Sequence, residues 1–142
     1  MKKNEEKKKT SSVLKVASTK KKASIGKRNK QRGNEYERRI ANELNELGFD
    51  VVTSRSESKT TDNNKVDLID RSNKLPVQIQ LKRSIATPSY FKIREDTTVP
   101  DEQFCLIWNK QRNVNGRFLS TGECVILDKK MFYELIKHYA NE

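Results

Sequence analysis

In the segment Val77-Gln78-Ile79-Gln80-Leu81-Lys82, apolar and polar residues alternate with a period of two. In a strand that period sends Val77, Ile79 and Leu81 to one face and Gln78, Gln80 and Lys82 to the other, so Gln80 and Lys82 are neighbours. Just upstream, Val66-Asp67-Leu68-Ile69-Asp70 reads as a second strand. Pairing of the two would carry the Asp67 carboxylate across to Gln80 and Lys82. An acid, an amide oxygen and a lysine in one place suit phosphodiester hydrolysis. Hard oxygen ligands hold Mg²⁺, the ion activates water and neutralises charge growing on the phosphate, and a lysine orients that water or stabilises the transition state. The same residues also describe solvated partners across an exposed sheet face, which for an arbitrary hairpin is the commoner case.

A second carboxylate lies further upstream. Tyr36, Ile40, Ala41, Leu44 and Leu47 recur at helical spacing, and Glu37 precedes Ile40, Ala41 and Leu44 by three, four and seven residues. Glu37 thus borders the apolar stripe and points toward the sheet. Asn34-x-x-Glu37 also matches a capping box, in which Glu37 only turns back to its own helix N-terminus.

Positioning these groups requires a scaffold, and turn residues divide the chain accordingly. Order begins near Gly33, with Asn34 as the cap of a helix that Gly48 closes. A short strand over 49–53 leads into a polar loop over 54–65 that looks functional or mobile. Strands over 66–70 and 77–82 flank the turn run Arg71-Ser72-Asn73-Lys74, with Pro76 at the strand edge, and together read as a β-hairpin. Pro88 and Pro100 punctuate the ambiguous stretch 83–101. Strands over 104–108 and 123–127 follow, then a helix from Lys129 with apolar Met131, Phe132, Leu135, Ile136 and Tyr139. No internal repeat is present.

The 142 residues fit one domain. Residues 1–32 hold 13 Lys and Arg against 2 Asp and Glu, a net +11 that equals the charge of the whole chain. The rest keeps 17 of the 30 basic and 17 of the 19 acidic residues and is neutral. The basic pI therefore describes a tail and not a fold. Residues 1–29 are rich in Lys, Ser and Thr and cannot bury enough apolar surface to offset the entropy of ordering, so they should be disordered without a partner. Val13, Leu14 and Val16 could form a transient helical turn. A clustered cationic arm is the footprint of a polyanion, above all nucleic acid. A membrane-surface arm is the alternative, but the tail lacks large apolar anchors.

Cys105 and Cys124 stand far apart in a chain without a signal-peptide core or an apolar run of membrane-spanning length. These features predict a cytoplasmic protein with both cysteines as buried fillers. A single histidine, His138, argues against a structural zinc site.

Taken in order, Gly33-Asn34-Glu35-Tyr36-Glu37-Arg38, Leu47-Gly48-Phe49-Asp50-Val51-Val52, Arg55-Ser56, Val66-Asp67-Leu68 and Gln78-Ile79-Gln80-Leu81-Lys82 resemble the PD-(D/E)xK nuclease superfamily, especially archaeal-type and phage Holliday-junction resolvases. The resemblance runs from about Gly33 to Lys82. It implies an α/β fold with a restriction-endonuclease-like core, a mixed central sheet flanked by helices in the order α-β-β-β-(α)-β-β-α, occupying residues 33–142. It also implies that Glu37 is the helix carboxylate, that Asp67 and Gln80 hold metal with Glu37 as a third ligand, and that Lys82 is the catalytic lysine. Arg38, Arg55 and Ser56 match positions that border the active site and contact DNA. Two residues depart from the pattern. Val66 stands where the family often has proline, and Gln80 stands where it usually has glutamate. A glutamine offers one neutral oxygen, so metal affinity should fall unless Glu37 or Asp70 compensates. The chain is similar to Mrr-like restriction nucleases in this Gln-x-Lys pattern.

The expected activity is Mg²⁺-dependent cleavage of branched DNA, with Mn²⁺ able to substitute, by a homodimer that cuts two strands symmetrically. No small-molecule cofactor and no membrane are expected. Lys27, Arg28 and Arg32, at the end of the basic tail, would bind phosphates without sequence preference. Two alternatives stand beside this. One is a Mrr-like or phage nuclease cutting ordinary duplex. The other is a non-catalytic nucleic-acid-binding protein with a degenerate site. Against the latter, acidic residues near a phosphate repel it unless metal intervenes. Small size and a lysine-rich tail would suit a phage protein in a bacterial host. Phe104, Trp108, Tyr133 and Tyr139 fit packed apolar patterns, and His138 near a helix C-terminus can face the helix dipole.

Overall fold

The computed structural model describes residues 25–56, 66–100 and 103–141. Two units divide the chain, residues 1–35 and 36–142. Residues 25–46 are helical (α1). After them come β1 (Val51–Thr53), a 3-10 turn (Ser54–Ser56), β2 (Leu68–Asp70), β3 (Gln78–Ser84), α2 (Tyr90–Glu95), β4 (Phe104–Val114), β5 (Arg117–Leu127) and α3 (Lys129–Ala140). The expected element order holds, and the architecture is α/β, with a mixed sheet flanked by helices.

Residues 25–33 are already helical, so the helix does not start at a cap on Asn34. Lys, Arg, Gln and Glu favour helix, and the one glycine at position 33 costs only about 1 kcal/mol against alanine. Within the first unit, Gln31 Nε2 donates to Glu35 Oε1 at 3.3 Å, a contact one helical turn apart. Residues 25–29, expected to be disordered with the rest of 1–29, are thus helical, whereas the remainder of that stretch, with the turn at Val13, Leu14 and Val16, lies outside the described residues. Most of the polar loop after Ser56 lies outside them as well.

In the second unit, β1 and β2 pair antiparallel, with Val51 opposite Asp70 and Thr53 opposite Leu68. β3 pairs with β4 in parallel, from Gln78 opposite Phe104 to Ser84 opposite Lys110, and β4 pairs with β5 antiparallel. The expected hairpin of β2 with β3 is therefore not formed, and the reason lies in the turn between them. The Asp70 carboxylate accepts N–H groups from Ser72 at 3.0 Å, Lys74 at 2.8 Å and Leu75 at 2.8 Å, besides the Ser72 hydroxyl. Asn73 adopts φ 57°, a conformation that asparagine tolerates. This wide turn delivers β3 to β4 instead of folding it back along β2.

The strands expected over 104–108 and 123–127 are the inner halves of a pair of eleven-residue strands. At their outer end Asn115 and Gly116 both have positive φ, 53° and 82°. Asn-Gly in that geometry is the two-residue turn whose twist matches a hairpin, so the missing strand length was signalled by a dipeptide.

Helices cover both faces of the sheet. Tyr36, Ile40 and Ala41 of α1 pack with Ile79 and Cys105 of the three-stranded β3–β4–β5 sheet on one face, together with Val51 and Leu68 of the separate β1–β2 pair. Tyr90 of α2 packs with Phe104 and Leu106 on the other. Phe104 is core, as expected, and Trp108 is half-buried, its Nε1 donating to Ser84 Oγ at 3.0 Å. Burial pushes the Cys105 thiol up to about 12. Cys124 differs from expectation and is exposed. It lies on the edge strand β5, whose residues from Arg117 to Val125 are all exposed. α3 also differs. It buries Met131 only, and Tyr133 and Tyr139 are exposed rather than packed, Tyr139 to 82 %. Among the described residues no helix is long and apolar enough to cross a membrane.

Candidate active site

Asp67 stands in the bend that enters β2, and backbone bonds hold it on two sides. Ser54 N–H donates to its carbonyl at 2.9 Å, and its own N–H donates to the Ile79 carbonyl at 3.2 Å. Its Oδ2 accepts the Leu81 N–H at 2.7 Å. The carboxylate therefore sits against β3 at the residue between Gln80 and Lys82. Asp67 thus reaches β3 at the backbone position between Gln80 and Lys82, through one carboxylate bond and not through a full β2–β3 ladder.

Alternation along β3 is as the sequence predicts. Ile79 is buried and Leu81 packs against the same core, on the face covered by α1. Gln80 and Lys82 lie on the opposite face, beside Leu106 and Trp108 of β4. Lys82 is exposed. Gln80 Oε1 is buried and has no hydrogen-bond partner among the described residues. A buried acceptor left unpaired costs about 1–3 kcal/mol, so this oxygen is an acceptor waiting for a cation or a donor.

Glu37 is buried, only 7 % exposed. Because helix precedes Asn34, Asn34 is not an N-cap, and the capping-box role for Glu37 is excluded. Its Oε1 accepts from Arg55 Nη2 at 3.2 Å. Arg55 follows Ser54, which bonds Asp67, and Tyr36, next to Glu37, shares a core cluster with Leu68 and Ile79. The helix carboxylate is thus tied to the site's rim through Arg55. A buried carboxylate needs such a partner, because an unpaired buried charge is strongly destabilising.

The remaining predicted DNA contacts are distributed differently. Arg38 is exposed. Ser56 is exposed and its Oγ donates to the Thr53 carbonyl at 2.7 Å. In the first unit, Lys27 and Arg28 are exposed and Arg32 is half-buried. Asp70, considered as a compensating metal ligand, is committed to its turn. Desolvation acts to raise its pKa, but the Ser72 hydroxyl and the N–H groups of Leu75, Lys74 and Ser72 outweigh that and hold the carboxyl well below the usual range.

A further cluster carried no local signal in the sequence. The Tyr36 hydroxyl donates to Glu123 Oε2 at 2.9 Å, and Arg39 Nη2 donates to Glu123 Oε1 at 2.9 Å. Burial, then the bond and charge of Glu123, raise the Tyr36 pKa. The Arg39 and Arg83 guanidinium carbons lie 5.1 and 5.7 Å from the Tyr36 ring centroid. With its amide oxygen turned toward Arg83, Gln111 accepts from Nη2 at 2.7 Å and Nε at 2.9 Å. These long-range contacts fasten α1 to the sheet just beside Glu37.

Among the described residues no three His, Cys, Asp or Glu side chains form a metal-binding group. The candidate set here consists instead of two carboxylates and an amide oxygen. Asp67, Gln80 and Glu37 each offer a hard oxygen donor, the type that suits a hard divalent cation. The unpartnered Gln80 Oε1 is the observation that favours such an ion.

The family model described as archaeal Holliday junction resolvase (Hjc) matches residues 28–98. That stretch contains Glu37, Asp67, Gln80 and Lys82 and ends before β4. No curated protein and no solved structure matches the chain.

Proposed function

The chain belongs to the archaeal Holliday junction resolvase family, and from that premise we propose that it is a divalent-cation-dependent endonuclease that cuts four-way DNA junctions as a homodimer. The single observation that carries this reading is the Asp67 carboxylate held at 2.7 Å from the Leu81 N–H, between an orphaned Gln80 oxygen and an exposed Lys82.

Asp67 and Gln80, with Glu37, would hold the ion, which when bound lowers the pKa of water and offsets charge on the phosphate. The protein's own groups do the rest. Lys82, on the face shared with Gln80, holds the attacking water or donates to the phosphate oxygen as negative charge builds there. Asp67 is oriented by the β3 backbone, so its position is set before substrate arrives. Arg55 balances Glu37 at rest and, being partly exposed, can also reach a DNA phosphate. Arg38 and Ser56, exposed and next in sequence to Glu37 and Arg55, would add contacts to the DNA backbone. The basic segment ending in Lys27, Arg28 and Arg32 supplies contacts without sequence preference, which suits a substrate recognised by shape. Two symmetric cuts require two active sites, hence two copies of the chain.

The test is cleavage of a labelled four-way junction beside matched linear duplex, with wild type, Asp67→Asn and Lys82→Ala. Paired symmetric cuts in Mg²⁺ that disappear in both variants would support the reading. Equal cutting of duplex would turn it toward a duplex nuclease. Salt-sensitive binding without cleavage in Mg²⁺ or Mn²⁺ would turn it toward a binding protein whose Gln80 marks a lost site.

A further inference from the structure

β4 and β5 continue past the end of β3, which stops with Ser84 opposite Lys110. Beyond that point they form a two-stranded ribbon closed by Asn115 and Gly116. Its chemistry follows from the register. Residues paired across a ladder share a face, and so do alternate residues along a strand. Gln80 lies opposite Leu106 and Lys82 opposite Trp108, so the face that carries Gln80 and Lys82 continues along β4 through Lys110, Arg112 and Val114. Pairing of Arg112 with Leu119 and of Val114 with Arg117 adds Leu119 and Arg117 to it.

Lys110, Arg112 and Arg117 are all exposed, and none forms an ion pair among the described residues. The ribbon's strands contain one carboxylate, Glu123. It lies opposite Asn109, on the other face, where Tyr36 and Arg39 engage it. The cationic face is therefore not neutralised by its own strands. Lys and Arg on an edge strand can serve simply to prevent aggregation. That role does not account for Val114 and Leu119, which stand among the cations 38 % and 42 % exposed. Positive charges interleaved with accessible apolar groups complement a surface of phosphates and sugar edges, and a two-stranded ribbon fits the major groove of B-DNA.

We propose that the β4–β5 ribbon is an arm-gripping element that lies along the duplex leading to the bond cut. Lys110, Arg112 and Arg117 meet phosphates, and Val114 and Leu119 rest against the groove wall. The inference rests on the nuclease reading, and the ribbon lies outside the matched residues 28–98. From Trp108, opposite Lys82, to Val114 the strand advances about 20 Å at ~3.3 Å per residue. The ribbon's end therefore reaches roughly six base pairs from the cut at ~3.4 Å per step.

The experiment uses the full chain, as wild type and as the double variant Arg112→Ala/Arg117→Ala, with labelled junction titrated at several salt concentrations. Both side chains are exposed, so the variant should keep the wild-type melting temperature. We expect its junction affinity to be roughly tenfold lower near 0.1 M salt and its salt slope smaller by about two, one for each lost phosphate contact. Arg112→Lys/Arg117→Lys should retain the wild-type slope, and phosphate ethylation roughly six base pairs from the cut should impair only proteins with both cations. Equal affinity and slope for wild type and the alanine variant, with cleavage intact, would overturn the ribbon and leave the nuclease reading standing. A lysine variant as weak as the alanine one would also overturn it, because the loss would then reflect packing and not charge. Wild type that binds junction but never cuts it would sink the nuclease reading, while the salt slopes would still decide the ribbon. Wild type that binds no DNA would overturn both.

Discussion

Asp67 Oδ2 lies 2.7 Å from the backbone nitrogen of Leu81, so an acid in the bend that enters β2 is fixed on the main chain of β3, at the residue that separates Gln80 from Lys82. The contact gives Asp67 two separable properties, an acceptor that joins β2 to β3 and an anion that could face a cation. An amide keeps the first property and loses the second.

Asp67→Asn should therefore remain folded, with a melting temperature within a few degrees of wild type, because its amide oxygen still accepts the Leu81 N–H. Its cleavage rate should fall by more than about 100-fold, the upper end seen when residues that merely support a metal ligand are changed. Thermal melting and single-turnover cleavage check the two halves. A variant that unfolds would assign Asp67 a structural role first.

Gln80→Glu places an anion where the unpartnered Oε1 now stands. If that oxygen faces the ion, the variant should reach half-maximal cleavage at a lower Mg²⁺ concentration than wild type, by roughly tenfold or more, since added ligand charge strengthens binding. In metal-free buffer the same variant should be less stable, because a buried carboxylate without a partner is costly. No change in the Mg²⁺ midpoint would place the oxygen away from the ion.

Asp70 should matter for stability and not for chemistry. Its folded pKa is depressed below the unfolded value near 4, so its contribution is complete above that value and drains away as pH falls toward the folded one. Asp70→Asn should melt below wild type at pH 7, and the gap should narrow as pH drops from about 4 to 2. Melts across that range, with cleavage measured well below the melting temperature, test the assignment. A gap independent of pH would contradict it.

The cysteines should react separately. Cys124 is exposed, whereas burial pushes the Cys105 thiol up to about 12. Because the thiolate is the reactive form, iodoacetamide at pH 8 should label one site in the native protein and two after denaturation. Peptide mapping should find the native label on Cys124.

Much of this arrangement is legible in local pattern. The Gln80 and Lys82 face follows from period-two alternation, and the helix bearing Tyr36, Ile40 and Ala41 follows from its apolar spacing. The Asn115-Gly116 turn was present in the residues as well, since those two types are the ones that accept positive φ in succession. Other features left no such trace. Nothing near Glu37 announces Arg55, and nothing near Tyr36 announces Glu123, because each pair joins residues distant along the chain.

Covalent geometry explains the division. Side-chain alternation, helical spacing and turn preferences depend on residues a few positions apart, so local sequence pattern specifies which face Gln80 and Lys82 share and the order α-β-β-β then β-β-α, while the stretch 83–101, where α2 forms, stays ambiguous at that level. Strand partners depend on which apolar faces can be buried together across long separations. The same alternating strand could have paired with β2, and the Asp70 turn together with the burial of Ile79 beside Cys105 sends it to β4 in parallel instead. Only that packing turns Asp67 into the acid beside Gln80, commits Asp70 to a loop, and carries the face of Lys82 onward into Arg112 and Arg117.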